Sequence, residues 1–240
     1  MLHLKEVRLL SEQYPTRNHY PFNIDVLQQT RSIQFSSPVT FFIGENGSGK
    51  TTLLEALARR CNIHIWSGIE RTRSVINPYE ETFFLYIEVE WTDGIVIGSF
   101  FSSQIFRNFA QLVDEWEADN PGQIDYFGGK SLIAQSHGQS IMSFFKSRYK
   151  IKGLYLLDEP ETALSPKSQV ELLRLLQEMS ALGHAQFIIA THSPILLACP
   201  ESVIYSFDHS PVKTIHYEDT EHYQIYKSFM ESPTEYLSED

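Results

Sequence analysis

Gly44-Glu45-Asn46-Gly47-Ser48-Gly49-Lys50-Thr51 decides the reading of the fold. The spacing is Gly, four free residues, Gly, Lys and a hydroxyl residue, the pattern of a phosphate-cradling loop. Val39-Thr40-Phe41-Phe42-Ile43 before it is a short apolar run with the character of a buried strand. Thr52-Leu53-Leu54-Glu55-Ala56-Leu57-Ala58 after it consists mostly of good helix formers with an apolar stripe. Strand, glycine loop and helix therefore stand in the order that an anion site needs. The glycines let successive N–H groups face one anion, and the new helix adds its positive end. Residues Gly44 to Thr52 are thus the candidate site for a nucleoside triphosphate, with Lys50 reaching the β- and γ-phosphates and Thr51 placed on Mg²⁺.

The 240 residues suffice for one large domain with a substantial core. No apolar run approaches a membrane span, and the first residues lack the apolar region of a signal peptide. Cys61 and Cys199 are too few for a disulfide framework, so a reducing, cytoplasmic setting is expected. A net charge of −11 argues against unaided binding to DNA or to an anionic membrane. Lys146, Arg148, Lys150 and Lys152 form the one dense basic stretch, which reads as a solvated helix end.

Outward from the loop, Leu2 to Leu10 alternates as a strand, and residues 22–35 are expected to return as a second strand before Ser36-Ser37-Pro38. Tyr14, Tyr20 and Phe22 are aromatic candidates for stacking on a base. Residues 81–91 and 95–101, flanking Thr92-Asp93-Gly94, read as a hairpin. From Gln104 the period becomes helical, with Ile105, Phe109, Leu112 and Trp116 on one face and Phe106 and Val113 beside them. Gly153 to Leu157 and Gln186 to Ala190 are two further buried-strand signals. Between them, Ser165 and Pro166 start a helix that Gly183 stops, with Leu172, Leu173, Leu176 and Met179 as its core face. Residues 203–207 and 212–217 make a closing hairpin, and a helix is expected from Glu218 to Met230. The expected division is a core of about 1–103 and 151–217, a mainly helical lobe of about 104–150, and a C-terminal helix and acidic tail over 218–240.

Asp158-Glu159 sits at the carboxyl end of the Leu154–Leu157 strand, the edge where ligands bind in a parallel α/β sheet. Asp158 is expected to share Mg²⁺ with Thr51, and Glu159 to orient and deprotonate an attacking water. His192, after the next strand, reaches the same edge and can hydrogen-bond a γ-phosphate.

Three stretches carry a resemblance: Gly44 to Thr51, Asp158-Glu159-Pro160-Glu161-Thr162-Ala163-Leu164-Ser165-Pro166, and Thr191-His192-Ser193-Pro194. Together they resemble ATP-binding-cassette ATPases, and more closely the soluble RecF-, SMC- and OLD-like branch than transporter subunits. The likeness runs from Leu2 to Tyr217. It implies a phosphate-loop NTPase of cassette type, with a mixed α/β sheet core and an inserted helical lobe. It further implies a signature stretch, which here is Gln135-Ser136-His137-Gly138-Gln139, opening a helix from Ser140 to Lys150. In such ATPases that stretch faces the γ-phosphate held by a second subunit, so Ser136, His137, Gly138 and Gln139 are the candidates for a trans contact in an ATP-bridged homodimer. His137 departs from the commonest pattern. Thr162-Ala163-Leu164-Ser165 matches the interface-crossing loop of the family. A glutamine linking Mg²⁺ to the lobe is expected at Gln104, with Gln111 as the alternative.

The expected activity is hydrolysis of ATP to ADP and phosphate, with Mg²⁺ as cofactor and Glu159, His192 and Lys50 as the catalytic set. Two other readings stand beside a soluble dimer switch acting on a protein partner: the nucleotide-binding subunit of a membrane transporter, and an ATP-gated clamp in a DNA-repair or defence assembly. No Asn-Lys-x-Asp base-reading motif occurs, which argues against a GTPase.

Overall fold

The computed structural model describes residues 2–66 and 77–237. In chain order its strands and helices are β1 (Leu4–Leu9), α1 (Asp25–Gln29), β2 (Ser32–Gln34), β3 (Val39–Ile43), α2 (Lys50–Arg60), β4 (Ile87–Trp91), β5 (Gly98–Ser102), α3 (Ser103–Asp119), α4 (His137–Arg148), β6 (Gly153–Asp158), α5 (Pro166–Ala181), β7 (Ala185–Ala190), α6 (Pro194–Leu197), β8 (Val203–Ser206), β9 (Lys213–Ile215), α7 (Glu221–Glu231) and α8 (Pro233–Leu237). Nine strands form two sheets among the described residues. A small antiparallel sheet has the order β2-β1-β4, and a mixed sheet has the order β5-β6-β7-β3-β8-β9, parallel except for β9.

The central strands β3, β6 and β7 are buried along their whole length. Burial on both faces explains why they read as continuous apolar runs and pair in parallel. The pleat divides them between two cores. Leu154 and Leu156 of β6 join Leu53, Leu54 and Leu57 of α2 in a layer shared with the small sheet. Tyr155 and Leu157 point the other way, into a layer built with Phe109, Phe144, Phe145, Leu172 and Leu176. This alternation carries to the end of the strand, so Asp158 falls on the α2 side.

Three expectations are corrected. Residues 22–35 do not return as one strand: Asp25 to Gln29 form α1, and only Ser32–Gln34 pairs with β1. Asp25 sits in the first turn of α1, and Val26 and Leu27 bury on adjacent positions, so a local helical turn satisfies backbone and core together. The hairpin is also absent. β4 pairs antiparallel with β1, whereas β5 pairs parallel with β6 in the other sheet. β4 alternates with Glu88 and Glu90 outward, but Phe100, Phe101 and Ser102 of β5 are all buried, a pattern only the two-sided sheet accommodates. The apolar stripe of α3 is rotated from the expected face: Phe106, Phe109, Ala110 and Val113 are buried, while Trp116 is 37% exposed.

Gly98 is what lets β5 approach β6. A Cβ there would lie 2.4 Å from Leu154 O and 2.4 Å from Ile63 Cδ1. Gly98→Ala is expected to cost about 1–3 kcal/mol of unfolding free energy through overpacking against a backbone atom. The change would be read as a lower urea midpoint at unchanged slope.

Candidate functional site

The loop between β3 and α2 is shaped by three glycines with positive φ: Gly44 (141°), Gly47 (85°) and Gly49 (103°). At Gly44 a side chain would also collide, since a Cβ would meet Asp208 Oδ1 at 3.0 Å and Phe207 Cβ at 3.1 Å. Asp208 itself accepts a hydrogen bond from Glu45 N at 2.7 Å and so ties the loop to the end of β8. Lys50 is 5% exposed and donates to Gly44 O at 2.6 Å and Glu45 O at 2.9 Å. Burial lowers its pKa, while the carboxylates of Glu159, Asp208, Asp158 and Glu161 pull it back up. Ser48 Oγ is buried with no partner among the described residues, a hydroxyl available to an incoming acceptor.

Asp158 accepts from Thr51 Oγ1 at 2.9 Å. Its side chain is buried, and burial pushes its pKa up to about 6 against the help of the Thr51 bond. Two hard oxygen donors thus meet beside the phosphate loop, one of them a desolvated carboxylate whose charge a cation would relieve. That donor set fits Mg²⁺, which typically takes one or two protein ligands and completes its shell with phosphate and water. Among the described residues no cluster of three or more His, Cys, Asp or Glu could hold a metal by itself.

Glu159 adopts a left-handed conformation, φ 45° and ψ 54°, where a non-glycine residue is strained. Its N–H donates to Ala190 O at 2.9 Å, which locks the turn to the end of β7. The carboxylate lies 3.8 Å from His192 Nε2. His192 is placed from two sides: its backbone N–H donates to Glu161 Oε1 at 2.6 Å, and its Nδ1 lies 2.9 Å from His222 Nε2 on the first turn of α7. Burial, then the Lys50 charge and His222, hold His192 below the ordinary imidazole range, with Glu159 opposing. His192 Nε2 has no hydrogen-bond partner among the described residues.

The strand order places β7 between β3 and β6, so His192 emerges between the phosphate loop and the Asp158-Glu159 edge. Gln104 lies exposed in the first turn of α3, two residues beyond Ser102, which is in register with Asp158. Gln111 donates to Glu115 on the outer face of the same helix, at 2.9 Å. Of the aromatic candidates, Tyr14 and Phe22 belong to the core: Tyr14 donates to Leu27 O at 3.0 Å, and Phe22 is fully buried. Tyr20 is 43% exposed and its hydroxyl is 3.0 Å from Thr52 Oγ1, beside the loop.

Ser136, His137 and Gln139 are exposed at the start of α4, where Ser136 and Gln139 form a capping box. None of them lines the cleft of about 680 Å³ on the outer side of the phosphate loop. Gly138 packs against the turn after Glu159, since a Cβ there would sit 3.1 Å from Ala163 O. The same turn reaches α3 through Thr162 Oγ1, which donates to Ser103 Oγ at 2.6 Å.

Three residues of the site went unassigned in the sequence reading. Glu161 was legible in its two-residue spacing from Glu159, on the same strand-end turn. Asp208 and His222 carry no local signal, because the parallel pairing of β8 with β3 brings the first to the loop and the chain reversal through β9 brings the second to His192.

Two family models match parts of the chain: "AAA domain" over residues 21–59, and "AAA domain, putative AbiEii toxin, Type IV TA system" over residues 131–198. The thiamine import ATP-binding protein ThiQ of Ruegeria sp. (strain TM1040) is 26% identical over 188 residues, covering 70% of this chain and 76% of that protein. Among solved structures, cbiO1 from Clostridium perfringens, described as part of the ABC transporter complex cbiONQ, is similar with a TM-score of 0.50 at 17% identity, over 98% of this chain and 97% of that one. An SmcHead bound to the C-winged helix domain of ScpA is similar with a TM-score of 0.52 at 13% identity, over 89% of this chain and 97% of that one.

The buried Asp158 makes stability depend on pH. Its pKa is raised in the fold from 3.8 to about 6, so the native state binds the proton more tightly than the unfolded chain. Its contribution is present below about pH 4 and is lost as pH rises through about 6, amounting to about 3 kcal/mol. Asp158→Asn is therefore expected to be the more stable protein at pH 7, with the gap closing near pH 4. Urea midpoints of the two proteins at both pH values check this.

Proposed function

We propose that this chain, a P-loop ATPase of the ABC/AAA type by fold and motif, hydrolyses ATP to ADP and phosphate and uses the bound nucleotide to bridge two copies of itself. The observation that carries the reading is the convergence of Lys50, the Thr51–Asp158 pair, Glu159 and His192 on one sheet edge. Lys50 and the loop N–H groups bind the phosphates, and Ser48 Oγ adds a further donor. Thr51 and Asp158 would hold Mg²⁺, which would supply positive charge against the phosphates. Glu159 orients the attacking water and takes its proton. His192 directs Nε2 at the γ-phosphate, where a neutral imidazole N–H donates to the charge that develops on transfer. Tyr20 stacks on the adenine.

The dimer part of the reading is supported by the exposure of the start of α4. The start of α4 offers Ser136 and backbone N–H groups to solvent, away from the chain's own phosphate loop. A second copy related by a two-fold axis would place those groups on the first copy's γ-phosphate, closing two sites at once. Gly138 in contact with Ala163 O links that surface to the strand-end turn that carries Glu159.

A second reading is favoured by the sequence likeness to ThiQ: a nucleotide-binding subunit for a membrane transporter. Among the described residues no helix is long and apolar enough to cross a membrane, so this reading needs a separate membrane component.

Glu159→Gln is expected to lower kcat by at least about a hundred-fold while ATP still binds. Light scattering on that variant would rise from the monomer mass to the dimer mass only with Mg-ATP. Ser136→Ala combined with Glu159→Gln should weaken the dimer without affecting nucleotide binding. Tight ATP binding with no dimer would overturn the homodimer and direct attention to a membrane companion.

A further inference from the structure

His192 and His222 are not two independent histidines. Nδ1 of one lies 2.9 Å from Nε2 of the other, with the ring centroids 5.1 Å apart and the planes inclined by 49°. A neutral imidazole carries one N–H and one lone pair, so a hydrogen bond between two of them needs one proton in the gap and dictates where each ring's other proton lies. Burial lowers the pKa of both rings and so favours the neutral form of each. Two arrangements then remain. Either His192 donates from Nδ1 and presents a lone pair at Nε2, or His222 donates from Nε2 and leaves the His192 proton on Nε2.

One feature of the surroundings selects the second. His192 Nε2 faces the Glu159 carboxylate at 3.8 Å, where an N–H is attracted and a lone pair is repelled. The outer nitrogen of the pair, His222 Nδ1, is buried with no partner among the described residues. Each arrangement leaves one N–H without a hydrogen-bond partner, His222 Nδ1–H in the first and His192 Nε2–H in the second, and the second places it facing the Glu159 carboxylate at 3.8 Å.

We propose that His222 is a positioning residue: it donates Nε2–H to His192 Nδ1 and so fixes His192 in the tautomer that presents Nε2–H to the γ-phosphate. The inference rests on the ATPase reading for its consequence, but not for the tautomer itself. His222 stands on the first turn of α7, a helix capped by Thr220, whose side chain accepts from Tyr223 N. The C-terminal helix therefore sets the hydrogen-bonding face of a residue that lies between the phosphate loop and the catalytic carboxylate.

The test has two readouts on the full-length chain. The first is long-range ¹H–¹⁵N correlation NMR of histidine-labelled, nucleotide-free protein, with resonances assigned through His192→Gln and His222→Gln. The expected spectrum shows His192 with a protonated Nε2 and a bare Nδ1; the reverse pattern overturns the proposal whatever the activity. The second is steady-state ATPase kinetics. His222→Leu, which fills the space without a donor, should lower kcat by about ten-fold while leaving KM within about two-fold. His222→Gln retains an amide donor and should keep kcat within about two-fold of the parent. His222→Glu offers only acceptors and should be at least as impaired as the Leu variant. A Gln variant as slow as Leu, or a Glu variant at full rate, overturns the donor assignment. Three variants at the parental rate beside an inactive Glu159→Gln would remove His222 from the reaction and leave the ATPase reading intact. A parental protein without ATPase activity would instead remove that reading, with the tautomer still decided by NMR.

Discussion

Everything at the site is placed relative to one hydrogen bond, from the Thr51 hydroxyl to the buried Asp158 carboxylate. The bond spans the gap between α2 and β6 and joins two residues 107 positions apart in the chain. It exists because the pleat of β6 turns every second side chain toward α2. Leu154 and Leu156 pack there against Leu53 and Leu57, and Asp158 is the next residue on that face. Apolar packing thus brings a carboxylate to a position where water cannot solvate it well. The carboxylate is destabilised, with a pKa near 6, and the single Thr51 donor does not compensate. A buried charge kept at a cost to the fold is the mark of a site arranged for a cation and not for stability.

The rest of the edge follows from strand order. With β7 between β3 and β6, the residue after β7 has to emerge between the phosphate loop and the Asp158-Glu159 corner. His192 would be free to rotate there if only its own loop held it. His222 Nε2 prevents that through its contact with Nδ1, while Glu161 fixes the backbone by accepting the His192 N–H and Ser193 Oγ donates to Gln169 Oε1 at 2.6 Å. Gln169 in turn donates to Leu164 O at 3.0 Å, so the turn after β6 and the loop after β7 form one hydrogen-bonded unit. That unit touches α3 through Ser103 and α4 through Gly138. The same backbone carries the strained Glu159, the His192 clamp and the contact to the exposed start of α4. Movement at any one of these points has to be transmitted through short, directional bonds.

What was legible in the sequence was what depends on local periodicity and turn chemistry. The phosphate loop, the three buried strands and the Ser165-Pro166 helix start all rest on neighbours within a few residues. The failures share a different cause. Residues 22–35 are apolar enough for a strand, but with three residues pairing to β1 the remainder found a better use as a helical turn. Residues 87–91 and 98–102 both have strand character, and Thr92-Asp93-Gly94 between them suits a hairpin. Their partners, β1 and β6, are set by which faces are buried, a property of the assembled sheets. Asp208 and His222 illustrate the same limit at the site. Asp208 reaches the phosphate loop because β8 pairs parallel with β3, and His222 reaches His192 only after the chain has reversed through β9, and no spacing within their own segments signals it.

The charge around the loop bears on which form of nucleotide such a site accepts. The cleft on the outer side of the loop is lined by Glu45, Asp208, Asp219 and Glu221, and the chain as a whole carries a net charge of −11. Against these stand one lysine, the loop N–H groups and the start of α2, and the lysine is engaged by two loop carbonyls. A triphosphate has to displace those carbonyls from Lys50 while approaching several carboxylates, in surroundings where charge is poorly screened. Under the proposed function, part of the phosphate charge must be neutralised before or during entry. The Thr51–Asp158 pair is where a divalent cation accomplishes this, since it relieves the desolvated Asp158 and the phosphates together. In that reading the acidic wall would favour a cation-bound triphosphate over the bare anion, and relief of the destabilised Asp158 would favour the cation.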